Sequence, residues 1–189
     1  MRTFLVILLL VIVSVGVFVY LNQQDASELV IHGVAWTQQG EYGKAIADFT
    51  EAIRIEPQYA EAFYNRGIAL REKGELDQAI ADYTEAIRLD SQHDTYFYFR
   101  ARILSDCPEP RFRNGVQAVK DATRACELTQ WKDSEFLTTL SAAYAEANDF
   151  PEAIRWIKKA MSMDDFDKPF RAKMLADFET GHRHEPRMW

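Results

Sequence analysis

Cysteine is nearly absent from this sequence, which has Cys107 and Cys126 alone among 189 residues. Two are too few for a disulfide framework, and they do not form the paired-Cys pattern of a structural zinc site. Histidine is scarce as well: His32, His93, His182 and His184. His182 and His184 are spaced like a chelator but lack further ligands nearby, which makes a solvated role the expectation. There is no Gly-rich phosphate loop, no HExxH helix and no GxSxG elbow. No cofactor, metal or small-molecule substrate is therefore expected. A Cys107 nucleophile, the one thread toward an enzyme, has no evident base. Basic residues are also short, since residues 22–189 hold 21 of them against 29 acidic ones, a net charge of −8. A nucleic-acid groove would need a basic face, so nucleic-acid partners are excluded.

What the N-terminus does have is one long apolar run. From Phe4 to Leu21 no residue is charged, and 18 residues of helix span about 27 Å, enough for a slightly short membrane crossing. The reading is a flank at 1–3, a signal anchor at 4–21 that contacts the lipid bilayer, and a junction at 22–25. A cleaved signal peptide is the rival reading, although the run exceeds a usual h-region and no small-x-small site follows it. No Cys follows the run, so a lipoprotein anchor is excluded. Arg2 precedes the span, while Asp25 and Glu28 follow it and the next basic residue is Lys44. This places the N-terminus inside and the remainder on the outer, periplasmic side.

The rest is organised by a repeat. Residues 60–93 restate residues 26–59 at a shift of 34, with 15 of 34 positions identical, and AIADFTEAIR at 45–54 returns as AIADYTEAIR at 79–88. A fixed period of this length signals stacked helical hairpins, none able to bury its own apolar face alone. Phe63, Gly67 and Leu70 share a face of one helix, and Ala79, Tyr83 and Ala86 a face of the next. Gly74 falls between them, where a tight turn needs positive φ. Gly67 and Ala79 remove bulk at the crossing, and Tyr83 fills the space. Gly33, Trp36, Gly40, Ala45, Phe49 and Ala52 repeat these roles, and Pro57 closes the unit.

This pattern resembles the tetratricopeptide repeat (TPR), with His32 and Arg66 where the family has Leu. Repeat three, 94–133, keeps Thr95 to Ala101 and then Ala118, Ala122 and Ala125, but its turn SDCPEPRFRNG is about five residues longer. Pro108 and Pro110 end the first helix near Ser105 or Asp106, and Asn114-Gly115 leads into the second. Repeat four, 134–167, is regular, with Asn148 at the turn. Over 94–160 the CP-x-P loop and ACELT-x-WK junction resemble a variant pair found in bacterial multi-repeat proteins. A helix after Lys168-Pro169, with Phe170, Met174 and Phe178 on one side and Gly181 at its end, reads as a cap at 168–181. The tail 182–189 is expected to be mobile. The fold class is thus all-α: a TPR superhelix of four hairpins with a C-terminal cap, behind one transmembrane helix.

Such a scaffold implies binding rather than chemistry. The resemblance places the concave groove at Val30, Val34 and Thr37, then Tyr64, Asn65, Ile68 and Arg71, then Tyr98 and Arg102, then Thr138 and Ala142. Tyr64 and Tyr98 either pack on a protein or peptide partner or join neighbouring repeats. The two-carboxylate clamp of some TPR domains is not met, because Asn65 alone matches it. Self-assembly through the outer face or the cap is the alternative, and the oligomeric state is left open. Asp82, Glu51 and Glu85 recur with the repeat and read as solvated charge. His32 falls at a helix-packing position. Cys126 occupies a small core position, and Cys107 reaches it as a disulfide only if its loop folds back along the helix.

Overall fold

In a computed structural model, residues 25–163 and 167–185 are described. The anchor expected at 4–21 lies outside them. The described residues form nine α-helices and no strand: α1 (Ala26–Gln38), α2 (Tyr42–Ile55), α3 (Ala60–Lys73), α4 (Leu76–Leu89), α5 (Asp94–Asp106), α6 (Gly115–Leu128), α7 (Ser134–Glu146), α8 (Phe150–Met163) and α9 (Lys168–Glu179). None of these is long and apolar enough to cross a membrane. Helices α1 to α8 pair as four antiparallel hairpins, and α9 packs on α8.

The hairpins close as small and large residues dictate. A methyl group added at Gly33 would lie 2.6 Å from the Phe49 ring, and one added at Gly67 would lie 2.7 Å from the Tyr83 ring. Each glycine therefore lets the second helix drive an aromatic ring against the first helix's backbone. Phe49 and Tyr83 are fully buried, and burying a ring of that size stabilises by about 1.5–3 kcal/mol. The turns rely on left-handed backbone at Gly40 (φ 76°), Gly74 (φ 87°) and Asn148 (φ 62°), a conformation that costs glycine nothing and asparagine little.

The core is a strip rather than a ball. One cluster joins Leu29, Phe49 and Ala62; the next holds Leu70, Tyr83, Ile103 and Phe112. A third gathers Ala101, Ala122, Leu137 and Leu140, and a fourth sets Ile157 against Met174 and Phe178 of α9. Each cluster contains side chains from successive elements, so every hairpin is completed by its neighbour.

The stretched third turn is ordered. Helix α5 stops at Asp106, two residues before Pro108, and Pro110–Phe112 form a short 3₁₀ turn with Phe112 buried. The Asn114 amide donates to the Leu104 carbonyl at 2.7 Å, and its side chain caps α6 by accepting from the Gln117 amide at 3.1 Å. Gly115 is needed for close approach: a methyl group there would sit 2.5 Å from the Ala147 backbone nitrogen. At the α6–α7 junction Gln130 (φ 55°) and Trp131 (φ 62°) are left-handed, and the Trp131 ring stacks on Trp156 at 4.9 Å.

Residues 182–185 depart from the expected mobile tail. After Gly181 (φ 74°) the chain turns back, and His184 is 9% exposed. Its ring meets Phe170 and Phe178 edge-on at 5.7 and 5.9 Å. A solvated role holds for His182, which is exposed, but not for His184.

Candidate interaction groove

Helices α1, α3, α5 and α7 line one side of the stack, and every groove residue expected from the sequence stands on one of them. Val30, however, is 3% exposed, inside the cluster of Leu29 and Phe49. Val34 is half-buried against the same cluster. Val30 and Val34 thus turn inward and hold α1 against α2.

Tyr64 and Tyr98 both join repeats. Tyr64 packs against Tyr96 (4.9 Å) and Phe99 (5.6 Å) of α5. Tyr98 is 6% exposed, stacks on Phe136 of α7 at 4.6 Å, and donates its hydroxyl to Glu135 Oε1 at 2.6 Å. Burial raises both phenols' pKa above the ordinary tyrosine value. Over this aromatic floor stand polar side chains. The Arg71 guanidinium lies 5.0 Å from the Phe99 ring and pairs with Glu72, and the Arg102 guanidinium lies 5.6 Å from the Tyr98 ring. Asn65 donates to the Glu61 carbonyl of its own helix at 3.0 Å. Ile68 is half-buried against the cluster of Leu70 and Tyr83, Thr138 is half-buried, and Ala142 is buried.

At the C-terminal end of this side, between α5, α7, α9 and the returning tail, lies a cavity of about 60 Å³ bordered by Tyr98, Arg102, Glu135, Thr138, Arg171 and His184. Arg171 is 2% exposed and donates to Ser134 Oγ (2.8 Å) and the Ala160 carbonyl (3.4 Å), tying the cap to the start of α7 and the end of α8. Nothing in the sequence pattern marks it, because it falls beside the apolar stripe of α9.

Sequence reasoning also missed a polar ladder. Arg66 grips Asp82 with two nitrogens, at 2.7 and 2.8 Å, and reaches Thr50 of the preceding hairpin at 3.1 Å. Arg100 does the same with Asp121, at 2.8 Å twice, and with Thr84 at 2.9 Å. Asp82 is 5% exposed, which corrects its reading as solvated charge. Asp82 can be buried because Arg66 pairs with both of its carboxylate oxygens. The signal was present, since Arg66 recurs at Arg100 and Thr50 at Thr84 with the 34-residue period. His32, at the same position of repeat one, is exposed rather than packed. An opening of about 290 Å³ beside Ile46, Leu70 and Ala81 has this first Arg–Asp pair on its wall, so its charges are already satisfied.

The two cysteines are free thiols, which corrects the pairing considered above. Cys107 packs with Leu70, Ile103 and Phe112, whereas Cys126 packs with Leu137 and Leu140. Burial pushes the Cys126 thiol up to about 12 and raises Cys107 too, so both stay protonated and unreactive at neutral pH.

Residues 33–72 match the family described as TPR repeat, and residues 60–93 the family described as Tetratricopeptide repeat. No curated protein sequence matches the chain. Among solved structures it is similar to MamA from Desulfovibrio magneticus RS-1, at TM-score 0.74 and 18% identity over 84% of this chain and 85% of that one. It is similar also to YrrB, described as a TPR protein with an unusual peptide-binding site, at TM-score 0.71 and 18% identity over 88% and 84%. A third is pilF of Pseudomonas aeruginosa, at TM-score 0.68 and 17% identity over 82% and 68%. At such identities the likeness is one of fold, and the fold of the described residues is an all-α helical repeat of the TPR type.

Proposed function

We propose that this protein is a TPR scaffold that takes an extended or helical segment of a partner protein on the side lined by α1, α3, α5 and α7. The observation that carries this is the row of half-buried Asn65, Arg71, Arg102 and Thr138 over an aromatic floor of half-buried Tyr64 and Phe99 and buried Tyr98 and Phe136. Such a row offers hydrogen bonds to a peptide backbone on a rigid apolar base. Tyr64 and Tyr98 then act by holding the repeats in line, and the polar row makes the contact.

The test is an Asn65→Ala, Arg71→Ala, Arg102→Ala variant with an unchanged circular dichroism spectrum. Affinity for a partner captured by the full chain is expected to fall at least tenfold. Unchanged affinity overturns the groove assignment. The apolar run at 4–21 supports the further reading of a single-pass anchor that holds the repeats on the outer side of a membrane, with 94–160 as the bacterial variant pair. A reporter fused after Trp189 is expected to be active only outside the cytoplasm; activity inside overturns that topology.

A further inference from the structure

The returning tail binds the stack as a ligand would. Residues 183–185 touch three elements in succession. Arg183 reaches Glu146 at 3.0 Å and Asn148 Oδ1 at 3.2 Å, at the end of α7 and in the turn after it. His184 Nε2 lies 2.9 Å from Asp106 Oδ1 at the end of α5, an ion-pair distance without the alignment of a hydrogen bond. Glu185 meets Lys173 of α9 at 3.2 Å. The imidazole fills the space between Phe170, Phe178 and the cavity.

The acids on the stack side are the informative part. With the tail in place the Asp106 and Glu146 side chains keep only 15% and 10% of their surface in water, and an acid so enclosed is stabilised by a polar or cationic partner. Glu146 has Arg113 at 3.4 Å from within the stack; the further cation, and the ring at Asp106, come from the tail. The matching is charge by charge, with Arg183 on Glu146 and Glu185 on Lys173.

We infer that this end of the groove is a recognition seat for an extended peptide with a cation followed by an imidazole or other aromatic ring, and that Arg183-His184-Glu185 occupies it in cis. The inference rests on the groove reading and adds a ligand class and a built-in competitor. A partner segment with the same order of groups displaces the tail. Until then the tail covers the cavity.

The probe is a fluorescent peptide of sequence GHRHEPR, titrated by anisotropy into the full chain in detergent. Wild type, with its seat filled, is expected to bind weakly. An Arg183→Ser, His184→Ser chain is expected to bind at least tenfold more tightly, and adding Asp106→Asn and Glu146→Gln to it is expected to abolish that gain. Equal binding to wild type and the opened chain, no binding to the opened chain, or binding indifferent to the two acids each overturns the inference. A second measurement needs no variant: excess unlabelled peptide added to wild type is expected to move the His184 ring resonances to solvent-exposed positions, and their staying put counts against displacement. Asn65, Arg71 and Arg102 are untouched in all of these chains. Failure here with a partner that still needs those three residues removes the seat and leaves the groove.

Discussion

Tyr83 illustrates how much one atom decides. Its ring fills the space over Gly67, as Phe49 does over Gly33, yet its hydroxyl is buried without a hydrogen-bond partner among the described residues. Tyr83→Phe is therefore expected to raise stability by about 1 kcal/mol in urea unfolding, because a buried unsatisfied hydroxyl costs about 1–3 kcal/mol. Asp82 is the opposite case. Asp82→Ala strands the Arg66 guanidinium and is expected to cost about 2–3 kcal/mol, less than a fully buried pair because about a fifth of the Arg66 side chain stays in water. Cys126 gives a pH signature. The unfolded thiol ionises near its ordinary 9.0 and the folded one near 12, so its contribution is intact below about pH 9 and lost as pH climbs from 9 to 12. Alkaline unfolding followed by circular dichroism is expected to bring out both thiols, with Cys126→Ala shifting the transition to higher pH.

At the level of helices, two glycines separate close approach from mere tolerance. Gly115→Ala would press a methyl group on the Ala147 backbone and push α6 off α7, a loss of about 1–3 kcal/mol. Gly43, in the first turn of α2, has nothing within 4 Å of an added methyl group, so Gly43→Ala is expected to gain about 0.5–1 kcal/mol. Melting temperatures of the two variants should move in opposite directions. The hairpins were legible in the sequence for the reason these glycines show: a small residue facing a large one at fixed offsets is written in the chain itself. Repeats one and two state that rule twice, so α1 to α4 follow almost residue by residue. The groove was less legible, because exposure depends on how one hairpin tilts on the next. Tyr64 and Tyr98 carry no mark of whether they face water or a neighbour, and Val30 reads as exposed until α1 is rotated inward. Arg171 and the tail were illegible because each contacts residues tens of positions away, with no repeat to announce the meeting.

Across the molecule, two free thiols in separate clusters leave nothing for a reductant to cut. The melting temperature is expected to be the same with and without one, and a drop on reduction would restore the disulfide. Stability of a strip-like core is the sum of hairpins and their interfaces, and the Arg66 and Arg100 bridges strengthen the first two interfaces between hairpins but not the third. His32 and Leu140 stand at the same repeat position in the outer hairpins and make no such bridge. The direction of those bridges has a consequence for how the protein is born. Arg66 holds Thr50, already synthesised, and Asp82, still to come; Arg100 does likewise with Thr84 and Asp121. As the chain leaves the ribosome, α3 and α5 can each clasp the finished hairpin upstream before the following helix has emerged, which favours joining the first three hairpins in the order of their translation.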